Sequence, residues 1–379
     1  MRKILIIHNK YRNTGGEDIA VENEINFLQR HFKVKTLLYE NNITGIFDIL
    51  DLLTLSNKRI NEDIFIHLNE FKPDLVYINN VWFKISIEIF KKLKEEKIST
   101  LIKIHNFRYH CTRTLSAKKH LNNSDFCLAC GFQTKRFGYF NNYFKGSLIK
   151  SLYAIYFGIN YIKIIKDSFF NIAVLTNFHK NFLKEAHKRS MNVFVLPNPI
   201  DIEVKNIEMS QEYFVYAGRI SREKGVEDLI EAFLSSNYTT HTLKIIGDGP
   251  DLQKLKKTYN SANIEFLGFL ENKKTLMIIK KSQGVFSATK LYEGQPTLLC
   301  EAVVNEIPVI FPNSGGISEF LPKNYDFTFE QFDYKSLVQK INLLNDKKLV
   351  TKNVKDARVY LNNKLKEEAI INIFKKILE

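Results

Sequence analysis

Apolar and polar positions follow two different periods along the first forty residues. Residues 3–8 form a run of aliphatic, mostly β-branched side chains, which predicts a buried parallel strand. A polar loop with Gly15 and Gly16 follows, then apolar residues at helical spacing over 19–28 and a second strand-like run over 34–39. Strand, loop, helix and strand in this order predict the start of a doubly wound α/β domain.

The same alternation continues along the chain and falls into two series separated by Pro197 and Pro199. The predicted strands are 75–78, 101–105, 172–175 and 193–196, then 213–217, 243–246, 264–266, 285–287 and 309–311. The predicted helices are 85–97 and 180–188, then 226–234, 251–259, 272–281 and 297–305. We therefore expect two Rossmann-like domains facing each other across a cleft, over residues 1–198 and 199–360. A C-terminal helix over 361–379 is expected to pack back on the first domain.

The segment 137–170 mixes aromatic rings with lysines and is predicted to be helical from about residue 146. Two interpretations remain open. The mixture is typical of a helix at a membrane interface, and it is equally typical of aromatic core packing with solvated lysines.

Composition and charge narrow the class of protein. The chain has 379 residues, 45% hydrophobic and 25% charged, with a net charge of +14, which is ordinary for a folded protein of about two domains. The apolar run near the N-terminus is too short for a signal-peptide core, and no run is long enough to cross a bilayer. The sequence contains four cysteines, so a disulfide framework is not expected and the expected location is a reducing cytoplasm.

The strongest chemical signal spans residues 292–301, between a predicted strand and a predicted helix. Backbone amides near Gln295, Thr297 and Leu298 are expected to point out of the helix N-terminus, where a diphosphate binds well. Pro296 fits the first helical turn because it has no amide hydrogen to leave unpaired. Glu293 and Glu301 then offer two carboxylates for sugar or ribose hydroxyls.

Basic and glycine residues follow other strands of the two series. Arg219 and Lys224, with Gly218 between the strand and Arg219, are placed to meet a diphosphate and to balance leaving-group charge without a metal. Gly247 marks a tight turn after the next strand. In the first domain, Gly15 and Gly16 allow backbone to approach a ligand closely.

Together these residues make the chain resemble the family 4 retaining glycosyltransferases, of GT-B fold and bacterial surface-polysaccharide type, over nearly its whole length. The motifs that carry the resemblance are Gly15-Gly16-Glu17, Lys103 to Arg108 with His105, Leu196 to Pro199, Gly218-Arg219 with Lys224-Gly225, Gly247-Asp248-Gly249, the pair Glu293 and Glu301, and Gly315-Gly316 with Glu319.

The resemblance implies roles for individual residues. Arg219 and Lys224 would bind the donor diphosphate, Glu293 the transferred sugar and Glu301 the ribose, with Gly218, Gly247, Gly294, Gln295, Thr297 and Leu298 around the donor. His105 would border the reaction centre. The loop of Gly15, Gly16 and Glu17 would close over the donor phosphates and the acceptor.

The sequence departs from the family pattern in two places. Gln295 and Pro296 replace the usual apolar or glycine residues, so phosphate contacts must come from the neighbours of Pro296. Cys111, Cys127 and Cys130 lie close together in sequence with nearby histidines. They could form a structural zinc site, or they could be reduced thiols that pack a long loop.

The function expected from these features is transfer of a sugar from a nucleotide donor, expected to be UDP-linked, to a glycan or lipid-linked acceptor, with no cofactor needed for catalysis. The enzyme would be cytoplasmic and could sit peripherally on an anionic inner membrane face, which the basic charge favours. A non-catalytic glycan-binding or scaffold subunit and a nucleotide-sugar epimerase are the alternatives. Nucleic acid is not an expected partner, because no known binding motif appears.

Overall fold

The structure is a computed structural model, and it describes residues 1–11, 15–40, 56–82, 84–107, 124, 127–128, 133–134, 140–141, 148–187, 191–200 and 211–379. The chain divides into two compact units. The first unit comprises residues 1–199 together with 367–379, and the second comprises residues 200–366. The chain thus returns to its first unit at its C-terminus.

The first unit is built on a parallel sheet of strand order β2-β1-β3-β4-β7-β8. Its strands are β1 (Lys3–Lys10), β2 (Lys33–Glu40), β3 (Leu75–Ile78), β4 (Thr100–Ile104), β7 (Asn171–Val174) and β8 (Val193–Val195). A separate antiparallel pair consists of β5 (Gln133–Thr134) and β6 (Phe140–Asn141). The sheet order reverses direction between β1 and β3, so loops that follow these two strands lie at a topological switch point.

Helices cover both faces of this sheet, which explains why its strands are apolar almost throughout. The helices are α1 (Gly16–Gln29), α2 (Lys58–Phe71), α3 (Glu88–Glu95), α4 (Leu148–Ile165), α5 (Asn177–His187) and the C-terminal α12 (Glu367–Leu378). Along β1, Leu5 and Ile7 join one core cluster, whereas Ile4 and Ile6 join the other. The second of these clusters is shared with α1 and α12.

The second unit contains a parallel sheet of order β11-β10-β9-β12-β13-β14. Its strands are β9 (Tyr213–Ala217), β10 (Thr242–Ile246), β11 (Ile264–Gly268), β12 (Val285–Phe286), β13 (Val309–Asn313) and β14 (Thr328–Glu330). Its helices are α6 (Val226–Leu234), α7 (Leu252–Thr258), α8 (Asn272–Lys280), α9 (Thr297–Val304), α10 (Tyr334–Leu343) and α11 (Lys347–Lys364), with short 3-10 turns at Arg222–Lys224 and Ile317–Phe320. Counted within this unit, the strand order is that of the Rossmann fold, with its switch point between β9 and β12.

The prediction of two doubly wound parallel sheets is confirmed, and most element ends lie within one to three residues of the predicted ones. The C-terminal region differs, because α11 extends to Lys364 and a separate helix begins at Glu367. The predicted elements include no helix over α2 or α10, none over most of α11, and no strand over β14. Within the described residues, no helix combines the length and apolar character that crossing a bilayer requires.

Helix α12 is expected to be a structural part of the first unit. Phe374 is fully buried, and its ring lies 5.5 Å from that of Tyr77 and 6.0 Å from that of Phe32. We predict that Phe374→Ala lowers the free energy of unfolding by about 3 to 5 kcal/mol, because it removes a large buried ring. Urea denaturation followed by circular dichroism measures this. Lys376→Ala on the exposed side of α12 is the control and should change stability by less than about 0.5 kcal/mol; equal effects would contradict the packing.

Candidate functional site

Two loops meet at the carboxyl edge of the second sheet, one after β9 and one after β12. The β9 loop carries Arg219 and Lys224, and the β12 loop carries Glu293. The backbone N–H of Lys290 donates to the carbonyl of Glu223 at 2.9 Å, which ties one loop to the other. The switch point of the sheet thus brings together Arg219, Lys224 and Glu293, which were predicted from the sequence as site residues.

Lys224 and Glu293 form an ion pair across these loops. The Lys224 Nζ lies 2.5 Å from Glu293 Oε1, and the hydroxyl of Thr289 donates to the same oxygen at 2.9 Å. Both charged side chains are partly exposed, at 30% and 26%, so a ligand can reach them. The Arg219 side chain is exposed, and among the described residues it has no carboxylate within ion-pair distance. The site therefore offers one paired and one available cation.

Glycines allow the loops of this edge to touch. A Cβ on Gly225 would lie 2.0 Å from the carbonyl oxygen of Ala288, and one on Gly247 would lie 1.9 Å from that of Gly218. Gly225 also has a φ of +65°, which other residues rarely adopt. These glycines are required by backbone packing, and that packing places Lys224 beside the Glu293 loop.

Gly315 and Gly316 pack against the backbone of the Glu293 loop. The amide of Gly316 donates to the carbonyl of Glu293 at 2.8 Å, and a Cβ on Gly315 would come within 2.6 Å of that carbonyl oxygen. The Ser314 hydroxyl donates to the carbonyl of Leu291 at 3.1 Å. The second glycine pair thus supports the backbone of Glu293. Glu319 lies in the 3-10 turn that follows these glycines, and its Oε2 is 4.0 Å from Lys364 Nζ.

The start of α9 differs from the predicted arrangement. Pro296 occupies the N-cap position, with the helix beginning at Thr297, and not the first helical position. The amide of Thr297 donates to the carbonyl of Gln295 at 3.0 Å, so in this structure it does not point freely outward. Gly294 and Gln295 are buried. Leu298 is half-buried near the same end of the helix.

Glu301 lies on the second turn of α9 and is 9% exposed. Burial raises the pKa of its carboxyl to about 7, and a hydrogen bond from Asn272 partly opposes this shift. Cys300 beside it is buried, as expected, and burial raises the pKa of its thiol well above the ordinary value. Near neutral pH, Glu301 therefore exists in both charge states.

The first unit has its own polar cluster at the switch point between β1 and β3. His8 Nε2 donates to Asp18 Oδ1 at 2.9 Å, and both side chains are buried. Asp18 Oδ2 accepts the amide of Gly15 at 2.8 Å, while its Oδ1 accepts that of Tyr11 at 3.3 Å. Asp18, paired with His8, thereby holds the backbone of Tyr11 and of Gly15, the residue just before α1.

His105 follows β4 at the same edge of the sheet. Its Nε2 donates to Asn79 Oδ1 at 2.8 Å. Burial, and next the charges of Lys103 and His8, hold the pKa of His105 well below its usual range, so the imidazole is neutral at physiological pH. Glu17 Oε2 accepts hydrogen bonds from Tyr11 at 3.0 Å and from the side chain of Asn106 at 3.3 Å.

The structure thus brings the selected residues into two groups. Each group lies at the carboxyl edge of its own sheet, and the first joins His105 to the Glu17 loop. Cys111 and Cys130 lie outside the described residues; Cys127 is buried, and no metal-type cluster occurs in the part of the chain that is described. Four further residues of these groups were not predicted from the sequence, because each is a single polar residue outside any motif. They are Asp18, Asn79, Thr289 and Asn272.

The second unit is similar in sequence to a known family of enzymes. Residues 198–360 match the family model "Glycosyl transferases group 1". An uncharacterized glycosyltransferase of Haemophilus influenzae is 24% identical over 55% of this chain and 60% of its own length. The capsular polysaccharide biosynthesis glycosyltransferase CapM of Staphylococcus aureus is 28% identical over 45% of this chain and 47% of its own. The chain therefore spans about half the length of these relatives.

Among solved structures, Anabaena HepE in complex with UDP-glucose has a TM-score of 0.68 and 14% identity, covering 100% of this chain and 99% of HepE. At this identity the likeness establishes the fold. The chain has the GT-B fold, and its second unit has the sequence pattern of the group 1 glycosyltransferases.

The raised pKa of Glu301 makes stability depend on pH. Because the folded state holds the proton more tightly than the unfolded chain does, the contribution of Glu301 to stability is lost as pH rises from about 4.5 to about 7. We predict that the unfolding free energy of the wild type relative to Glu301→Gln falls by about 3 kcal/mol across this window. Denaturation at a series of pH values measures this difference. A pH-independent difference would contradict the assigned environment of Glu301.

Proposed function

We propose that this protein is a family 4 retaining glycosyltransferase that moves a sugar from a nucleotide donor, UDP-linked in our assignment, to a glycan or lipid-linked acceptor. The observation that carries the proposal is the pairing of Lys224 with Glu293 at the switch point of the second sheet. The loop of Glu293 leads into helix α9, which carries the buried Glu301. It lies within the part of the chain that matches the glycosyltransferase model.

In this proposal the second unit binds the donor. Arg219 and Lys224 neutralise the diphosphate, a task that needs no metal when two cations are available. Glu293 accepts hydrogen bonds from the transferred sugar, and Glu301, when ionised, accepts them from the ribose. Gly218, Gly247, Gly294 and Gln295 lie in the loops around them, and the amides near Thr297 and Leu298 face the phosphates once the Gln295 turn opens.

The proposed reaction keeps the configuration of the sugar. The bond between the anomeric carbon and the diphosphate oxygen breaks, and the acceptor hydroxyl oxygen forms the new bond on the same face. The hydroxyl proton passes to the departing diphosphate, whose charge Arg219 and Lys224 stabilise. No side chain needs to form a covalent intermediate.

The first unit supplies an uncharged imidazole and the loop of Gly15, Gly16 and Glu17 in this scheme. His105 is uncharged, so it acts on the sugar as a hydrogen-bonding group and not as a cation. A Cβ at Gly16 would meet nothing within 4 Å, and Gly15 has only a 3.9 Å neighbour, so described packing does not demand these glycines. A ligand that approaches the loop of Gly15, Gly16 and Glu17 gives them a reason.

The donor and the setting are proposed by analogy. The fold neighbour HepE was determined with UDP-glucose, which favours a UDP-sugar donor, and the relative CapM is named for capsular polysaccharide biosynthesis, which favours a surface-polysaccharide acceptor. A lipid-linked acceptor places the enzyme at the inner face of the membrane, as a peripheral protein. Structural zinc at Cys111, Cys127 and Cys130 remains a separate proposal, to be checked by metal analysis of the purified protein.

Incubation with UDP-sugars alone distinguishes the candidate functions. A transferase releases UDP and free sugar by slow transfer to water, whereas an epimerase leaves an altered sugar on UDP. Binding without either product indicates a scaffold subunit. Chromatography of the nucleotide and sugar products measures all three outcomes, and we expect UDP and free sugar.

Loss of either member of the charged pair should strongly reduce this turnover. We predict that Lys224→Met and Glu293→Gln each lower kcat/KM roughly 100-fold or more, since each removes a contact to charge that develops in the reaction. Lys254→Met is the matched control, because Lys254 pairs with Glu227 at 2.8 Å on the surface of the same unit. Similar turnover in all three variants would refute the assignment.

Two glycines should respond oppositely to the same change. Gly16→Ala is predicted to keep or slightly raise thermal stability, because Gly16 is in the first turn of α1 with open space around it, but to reduce turnover. Gly225→Ala should lower the melting temperature, because its Cβ would strike Ala288 and its φ is positive. Thermal melts and turnover of both variants are the measurement; full activity in Gly16→Ala would count against a ligand at this loop.

A further inference from the structure

Helix α4 is apolar on both of its sides. Its inner side is buried in the first unit through Ala154, Phe157, Tyr161 and Ile165. Its outer side, which we call the α4 face, consists of Leu148, Ile149, Leu152, Tyr156 and Ile159. Ile149 is 81% exposed, and the other four are between 38% and 57% exposed. A surface helix ordinarily turns polar residues outward, so this face is unusual.

The α4 face is also concentrated. Five of the fourteen large hydrophobic side chains that are exposed among the described residues lie on this one helix. From Ile149 to Ile159 these residues recur every three to four positions, with Leu148 next to Ile149, and the stripe is about 17 Å long at 1.5 Å per residue. A stripe of this length is too short to cross a bilayer, but it matches a helix that lies in the plane of the interface.

Charge indicates what covers the face. The sequence from 108 to 166 contains ten Lys or Arg and one acidic residue, so it carries most of the net charge of +14. Helix α4 itself contains no Asp or Glu. Two copies of a chain with a net charge of +14 repel each other, whereas a layer of anionic lipid attracts such a chain. Apolar side chains with a tyrosine and exposed Lys163 on the same helix fit the boundary between headgroups and acyl chains.

The α4 face is connected to the polar cluster of the first unit. Phe157, on the inner side of α4, packs edge-on against Trp82 with ring centres 4.9 Å apart. The Trp82 amide donates to Asn80 Oδ1 at 2.9 Å, and its carbonyl accepts from the side chain of Asn9. Asn9 belongs to β1 and Asn80 follows β3, so α4 lies one layer of side chains from the switch point.

We propose that the α4 face inserts into the interface of an anionic lipid membrane and so holds the first unit's switch point next to that membrane. The inference deepens the proposed function and rests on it in one respect, the lipid-linked acceptor, which this contact would bring to the polar cluster.

Vesicle co-sedimentation tests the proposal. The wild-type chain should pellet with vesicles of phosphatidylcholine and phosphatidylglycerol at low salt, and weakly with phosphatidylcholine alone. The double variant Ile149→Gln with Leu152→Gln should lose about tenfold in partitioning, because two apolar side chains leave the interface without any change in charge. The matched control, Ile66→Gln with Met277→Gln, changes two similarly exposed apolar residues elsewhere and should bind like the wild type.

Three results would overturn the inference. They are equal binding of the wild type to neutral and anionic vesicles, wild-type binding by the α4 variant, and a dimer in solution that the α4 variant abolishes. Stabilisation by UDP-sugars and release of UDP in water, measured without vesicles, should be unchanged in the α4 variant. If UDP release is absent while α4-dependent binding persists, the proposed function fails and the membrane contact stands; the reverse pattern rejects the contact alone.

Discussion

Contact between backbones at the carboxyl edge of the second sheet is the constraint on which the candidate site depends. Gly249 lies with its Cβ position 2.1 Å from the carbonyl oxygen of Ile220, in the same way that Gly247 approaches Gly218 and Gly225 approaches Ala288. A side chain at any of these positions would push neighbouring loops apart. Because the loops touch, the positions of Lys224 and Glu293 are determined by backbone and not by the two flexible side chains alone.

The first unit fixes its switch point by a different means, a buried polar network. Lys103 Nζ lies 2.7 Å from Glu24 Oε1, and Tyr77 donates to Glu24 Oε2 at 2.9 Å, with all three side chains buried. Burial lowers the pKa of Lys103, although the pairing with Glu24 opposes this. Removing one partner would leave an uncompensated buried charge, which is strongly destabilising. The network therefore holds α1, which carries the Gly15 loop, against β3 and β4.

Sequence patterns predict more of the fold than of the site. Strands buried on both faces, such as β1, can be predicted because their apolar runs are continuous. Helix α2 carries a different signal, the four-residue spacing of Ile60, Ile64 and Leu68, and that spacing could have identified it. The edge strand β14 has three residues, too few for a pattern. Asp18 and Asn79 act through single contacts across long stretches of chain, so no local pattern marks them.

The ion pair of the second unit also constrains how a donor could bind. Lys224 and Thr289 both contact Oε1 of Glu293, and no described residue donates to Oε2. In the proposed complex Lys224 turns toward the diphosphate, and Thr289 keeps the carboxylate in place while Oε2 meets the sugar. Binding then gives the lysine a new anionic partner, while the carboxylate keeps hydrogen bonds from Thr289 and the sugar. These hydrogen bonds limit the cost of separating the carboxylate from its cation, because a charge with no polar partner is the expensive case.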